Sequence, residues 1–130
     1  MIRALVLFAH GARDARWAEP FEAVAERTRR AAPALAGRRA FLEMMAPTLG
    51  EAVDALAAER ANEVDVVPLF LGTGGHLRKD LPPLVDAIRA AHPVLAIRLH
   101  AAIGEHAAVL DAMARASLDA AGVVNNPPLP

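Results

Sequence analysis

Short, nearly unbroken apolar runs alternate along this chain with longer stretches in which apolar residues recur every three or four positions. Ile2 to Ala9 is the first run, the pattern of a strand buried on both faces. Glu19-Pro20 opens an amphipathic helix with Phe21, Val24, Ala25 and Thr28 on one face. Proline is tolerated in a first helical turn because its missing N–H would have had no partner there. This helix fades at Ala32-Pro33, Gly37 marks a loop, and Arg39 to Met44 reads as a second strand. Pro47 starts a second helix with Leu49, Val53, Leu56 and Ala57 at helical spacing. Glu63 to Leu71 is the third strand, with Pro68 expected near its carboxyl end or with its missing donor facing away from a partner. Gly72-Thr73-Gly74-Gly75 is the clearest loop signal. Asp80 reads as the N-cap of a third helix containing Pro82, Pro83, Leu84, Val85 and Ile88. Val94 to Ala101 is the fourth strand, and Gly104 to Ala121 the fourth helix, with Val109, Leu110, Met113 and Leu118 on its apolar face.

Four strands alternating with four helices predict an α/β fold: a parallel sheet with helices on both faces and right-handed crossovers. The expected strand order is 2-1-3-4, as in the flavodoxin-like class. The 130-residue length fits one domain, placed at residues 1–121, followed by a Pro/Asn-rich tail at 122–130 that reads as frayed. Composition changes this picture in one respect. Cys is absent, which excludes disulfides, thiolate zinc sites, iron–sulfur clusters and a cysteine nucleophile. Metal chemistry would have to use His, Asp or Glu. The net charge of −1 argues against a nucleic-acid binder. The amino-terminal apolar run meets His10-Gly11 with no cleavage pattern, and no uncharged stretch approaches the ~20 residues of a membrane span. A soluble, cytoplasmic protein with no membrane partner is expected.

In an open α/β sheet, ligands bind beyond the carboxyl ends of the strands where the chain order reverses, here between strands 1 and 3. His10 ends strand 1, His76 follows strand 3 and the glycine-rich loop, and Glu43 ends strand 2. Adjacent strands lie about 4.8 Å apart, so these side chains can converge if the order holds. Two imidazoles and a carboxylate are a ligand set for Fe, Co, Ni or Zn. The N–H groups around Gly74 and Gly75, with the following helix start, form a natural anion site to which Arg13, Arg78 and Lys79 could add charge. The other histidines carry less weight. His92 reads as a favourable charge at a helix end, His100 as a late-strand residue, and His106 as a peripheral candidate on the same sheet edge. Arg27, Arg29, Arg30, Arg38 and Arg39 read as a solvated face. The glycine-rich loop lacks the Gly-Lys-Ser/Thr of a Walker A motif and the spacing of a dinucleotide fingerprint.

Several segments in order resemble one family: Leu5-Val6-Leu7-Phe8-Ala9-His10-Gly11, Phe41-Leu42-Glu43 with Ala46-Pro47-Thr48-Leu49, Val66-Val67-Pro68-Leu69-Phe70-Leu71, Gly74-Gly75-His76 with Lys79-Asp80-Leu81-Pro82, and Ile103-Gly104-Glu105-His106. From about residue 2 to 121 the chain resembles the small class II chelatases that insert a metal into sirohydrochlorin, namely the short CbiX-type cobaltochelatases and the SirB-type ferrochelatases. The resemblance implies a homodimer of chelatase-like domains. It implies that His10 and His76 hold the metal and assist pyrrole deprotonation, with Glu43 as a further ligand or proton acceptor. It requires no cofactor beyond the substrate metal (Co²⁺, Fe²⁺ or Ni²⁺). Two positions depart from the family pattern: Ala12 stands where Ser is usual after His-Gly, and Ala107 where Pro often follows the late Gly-x-His. Neither removes a ligand. The competing readings are a non-catalytic metal or tetrapyrrole carrier, and a flavodoxin-like phosphate or nucleotide binder. The second is weakened by 4% aromatics and no Tyr.

Overall fold

The computed structural model describes residues 1–123. β1 (Arg3–Ala9) and β3 (Glu63–Pro68) are the inner strands of a parallel sheet, flanked by β2 (Ala36–Phe41) and β4 (Ala96–Leu99). The order is β2-β1-β3-β4, as expected. Four helices connect and close the layers: α1 (Glu19–Ala31), α2 (Leu49–Ala58), α3 (Gly75–Ala91) and α4 (Ala107–Ala120). Among the described residues, no helix is long and apolar enough to cross a membrane. Residues 124–130 of the expected tail lie outside those described.

The two sheet faces are finished differently. Side chains alternate along a strand, so Ala4, Val6 and Phe8 of β1 share a face with Val64 and Val66 of β3. That face packs on Leu49, Ala52, Val53 and Leu56 of α2 and on Leu81, Val85 and Ile88 of α3. Each large apolar side chain fully buried there contributes about 1.5–3 kcal/mol. On the opposite face neither α1 nor α4 has a buried residue. Leu5 and Leu7 instead border a cavity of about 380 Å³ with Ala25 and Thr28 of α1 and its C-cap Ala32. A nearly apolar cleft of about 350 Å³ lies between Pro20, Phe21, Val24, Leu69, Ile103 and Val109. Of the arginines expected on a solvated face, Arg38 pairs with Glu59 and Arg39 with Glu22, tying edge strand β2 to the helices, while Arg29 and Arg30 both reach Glu26. These guanidinium groups hold Glu26 at about 2.

Several boundaries move. β2 begins at Ala36, before Gly37, because an edge strand can carry a glycine whose backbone still pairs with Leu5. It ends at Phe41, and the chain then turns through Met44 at φ 64. β3 ends at Pro68, although Leu69 N–H still donates to Phe8 O at 2.7 Å. β4 is shorter than expected, with Val94 left almost fully exposed. The fourth helix is split: a 3-10 turn at Ile103–Glu105 precedes α4, and His106 between them is extended and caps α4. The largest shift is in α3. It starts at Gly75 with Gly74 as N-cap, so Asp80 is no cap, and Pro82 and Pro83 lie inside the helix. The cause is the apolar stripe, which runs back from Ile88 and Val85 through Leu81 to half-buried Leu77.

One charged cluster braces the sheet on its less covered face. Asp65 accepts hydrogen bonds from Arg98 Nε (2.8 Å) and Nη2 (3.1 Å), His100 Nε2 (2.7 Å) and Arg3 Nη2 (3.3 Å). Arg98 is the main cause that holds the Asp65 carboxyl well below the usual carboxylate range. A folded-state value below the unfolded ~3.9 means that the stabilisation is complete above that pH and is lost as pH falls through the lower folded value. Asp65→Asn is therefore expected to cost about 1–2 kcal/mol at pH 7, a modest figure because the partners stay partly in water. Urea unfolding at pH 7 and in the acid range checks this: the gap from wild type should shrink as the pH drops below about 3.9.

Candidate active site

The carboxyl edge of the sheet gathers the first two candidates through the backbone. The β1–β2 ladder continues past both strand ends: Leu42 N–H donates to Ala9 O (2.8 Å) and Glu43 N–H to His10 O (3.0 Å). Glu43 stands two residues beyond β2, yet remains directly beside His10. Gly11 makes this approach possible. Its φ is +89°, and a Cβ there would sit 1.9 Å from the Glu43 carbonyl oxygen. That carbonyl also accepts from Met45 N–H at 2.8 Å, closing the tight turn through Met44. Thr48 and Glu51 then form a reciprocal cap that starts α2.

His10 is exposed, but its ring is not free to wander. It lies over buried Phe70, with centroids 4.3 Å apart and planes at 34°, and Phe70 in turn rests 5.8 Å from Phe8. Phe70 is a site residue that sequence reasoning missed as such. Its position is fixed from the far side by Gly104, whose N–H donates to Phe70 O at 2.9 Å. A Cβ on Gly104 would come within 1.8 Å of Leu71 O. The Gly-x-His pattern at Gly104 was a signal in the sequence, but it says nothing of which strand end the glycine touches.

His76 is the second residue of α3 and is exposed. The N-cap Gly74 offers no side chain, so the first-turn amides have neither an intrahelical nor a side-chain partner. Arg78 N–H makes the first intrahelical bond, to Gly74 O at 3.1 Å. The first turn holds no acidic residue, and Arg78 and Lys79 follow in the next turn. Positive charge near a helix amino terminus opposes the macrodipole, so nothing in the helix itself calls for these cations. Arg13, Arg78 and Lys79 are exposed and form no ion pair among the described residues. Among the described residues, no three His, Asp or Glu side chains are grouped closely enough to hold a metal ion. His10 and Glu43 adjoin through their backbones, and His76 stands at the head of α3.

The other histidines have structural partners. His92 ends α3, and its Nε2 meets Asp54 of α2 at 2.6 Å. His100 is held by Asp65. His106 Nδ1 accepts from Ala108 N–H at 3.3 Å as the cap of α4.

A four-stranded parallel sheet of order β2-β1-β3-β4, with a histidine and a glutamate adjoining at its carboxyl edge, places the chain among the small open-sheet α/β proteins. Comparison with known proteins narrows this: the CbiX family model matches residues 4–120, and the chain belongs to the CbiX family. A solved structure described as a CbiX protein of cobalamin (vitamin B12) biosynthesis, from Marinobacter aquaeolei VT8, superposes with a TM-score of 0.83 at 34% identity, over 92% of this chain and 98% of that one. The sirohydrochlorin chelatase SirB from Bacillus subtilis subspecies spizizenii, in complex with cobalt, gives 0.79 at 26% identity, over 92% of this chain and 51% of that one. A sirohydrochlorin cobaltochelatase from Saccharolobus islandicus is 49% identical over 45 residues, a stretch that spans 35% of each chain.

Proposed function

We propose that this chain is a sirohydrochlorin metallochelatase that inserts a divalent metal, Co²⁺ or Fe²⁺ with Ni²⁺ as a third option, in cobalamin or sirohaem synthesis. The observation that carries the reading is the backbone-locked pair His10–Glu43 at the carboxyl edge of a CbiX-family sheet. Metal insertion requires the loss of two pyrrole N–H protons and the removal of water from M²⁺. Neutral imidazole can act as ligand and as base, which suits His10 and His76. A carboxylate offsets the charge of the metal and takes up a proton, which suits Glu43. Electrons do not change hands, so no redox cofactor is needed. The substrate carries many carboxylates. Arg13, Arg78, Lys79 and the amides at Gly74 and Gly75 suit their docking.

The test is anaerobic mixing of the protein with sirohydrochlorin and each metal, followed by absorption. Insertion no faster than the uncatalysed background, with sirohydrochlorin still bound, would leave only a carrier. Arg78→Glu with Lys79→Glu is expected to weaken sirohydrochlorin binding about tenfold or more, an effect that added salt reduces.

The same reading includes a homodimer. The half-covered sheet face supports it, with Val24, Leu110 and Met113 exposed on α1 and α4. So does the length of SirB, of which this chain matches 51%. Sedimentation equilibrium should give twice the 13.7 kDa chain mass, and Leu110→Glu with Met113→Glu should return it to one.

A further inference from the structure

Two residues other than glycine adopt a positive φ among the described residues, Arg60 at 67° and Met44 at 64°. The end of α2 accounts for Arg60. Its N–H donates to Ala57 O, and the N–H of Ala61 donates to Leu56 O, the pair of bonds that closes a helix through a left-handed residue. Met44 closes no helix. It is the middle residue of a three-residue turn in which Met45 N–H donates to Glu43 O at 2.8 Å, and with a positive φ this is the rare, strained hand of that turn. Glycine adopts such a φ with no Cβ to clash, so glycine would be the undemanding residue here. Met44 contributes nothing to the core in exchange: it is 60% exposed and lies outside the packed apolar cluster.

The surrounding backbone holds this strained residue in place. Glu43 N–H is bonded to His10 O, Glu43 O lies against Gly11, and Phe41 N–H closes the far side of the turn on Pro47 O at 2.8 Å. Strain that is over-determined in this way collects at ligand sites. Here it sets an exposed apolar side chain one residue beyond Glu43. The strand on the other side of β1 does the same: Leu71 stands one residue beyond Phe70, on which the His10 ring lies, and is 62% exposed. We infer that Met44 is a substrate-gripping residue, whose side chain packs on the conjugated ring of the tetrapyrrole while His10 and Glu43 act on its pyrrole nitrogens. This deepens the proposed function and rests on it for the identity of the ligand. The carboxylates of the substrate lie at its periphery, which leaves the ring faces as its apolar part. A thioether side chain is flexible, polarisable and favourable against an aromatic ring.

The experiment compares wild type with Met44→Gly, Met44→Ala and Met44→Leu by thermal unfolding, by absorption titration with metal-free sirohydrochlorin and by sedimentation equilibrium. Met44→Gly removes the strain and should raise Tm by about 2–5 °C. It also removes the side chain and should weaken sirohydrochlorin binding about five- to tenfold. Met44→Ala keeps a Cβ at the strained φ, so it should weaken binding to the same degree without the rise in Tm. Met44→Leu keeps apolar reach of similar volume and should bind within about twofold of wild type. A fall in Tm for Met44→Gly would overturn the inference, because the side chain would then serve the fold. Wild-type affinity in Met44→Ala would overturn it as well, since any loss in the glycine variant would then come from a loosened turn. Equal losses in Met44→Leu and Met44→Ala would rule out an apolar grip. A lower sedimentation mass in Met44→Gly would assign the side chain to a second copy of the chain instead. Metal-free ligand keeps metal binding out of the comparison. Failure of the chelatase reading is separately visible, as a wild type that neither binds nor metallates sirohydrochlorin, and it would take this inference with it.

Discussion

His10→Ala is expected to lower the rate of Co²⁺ or Fe²⁺ insertion into sirohydrochlorin by about 10²–10⁴-fold, the range lost with a positioned acid–base group. The expectation follows from where the ring is held. His10 is exposed just past the end of β1, and its ring lies against Phe70. Its backbone carbonyl, not its ring, fastens Glu43. Removing the imidazole therefore leaves that bond in place, and stability should change by no more than about 0.5–1 kcal/mol. The informative control is His92→Ala. That ring meets Asp54 between α2 and α3, so its loss should lower stability slightly and leave insertion untouched. Anaerobic absorption kinetics on both variants, beside their urea unfolding curves, separate the two effects. Insertion by His10→Ala within twofold of wild type would remove His10 from the proposed chemistry.

Gly11→Ala is expected to be the most damaging small change at the site, costing about 2–5 kcal/mol of stability. Two causes add. At φ +89° a side chain is strained, at about 1–2 kcal/mol. The new Cβ would also fall 1.9 Å from the Glu43 carbonyl oxygen, so one backbone must move, an overpacking cost of about 1–3 kcal/mol. Movement of Glu43 breaks the His10–Glu43 hydrogen bond, and insertion should fall with stability. Urea unfolding gives the first number. Insertion measured at a temperature where the variant is still folded gives the second. A fully stable Gly11→Ala would contradict the close packing of the two loops.

Sequence reading and structure part company over particular residues. The succession of elements and the place of His10 are legible because they depend on local periodicity: a run of apolar residues makes a buried strand, and a strand's end is marked by the polar residue that follows; the strand order follows from the flavodoxin-like class that such alternation suggests. A β2 that runs to Met44 would put Glu43 beside His10; β2 ends at Phe41, and hydrogen bonds that continue beyond the strand hold Glu43 there instead. The start of α3 differs from the sequence expectation because two prolines and an Asp imitate a helix beginning, while Leu77 and Leu81 extend the apolar stripe back by more than a turn. Phe70 as the platform for His10 was not legible, since the two rings meet only after β1 and β3 are set side by side.

What the chain determines by itself is the succession of elements, the absence of thiolate chemistry and the short list of histidines, because these follow from residue type and from spacings of two and of three to four positions. Tertiary structure alone decided which histidines are engaged. His100 meets Asp65 across 35 positions, and His92 meets Asp54 across 38. It also decided that one sheet face is closed by α2 and α3 while the other stays half-covered. The reason is physical. Helices and strands are specified by neighbours along the chain, but the partner of a polar side chain across the sheet depends on how residues far apart in sequence are brought together, which spacings of two to four positions do not specify.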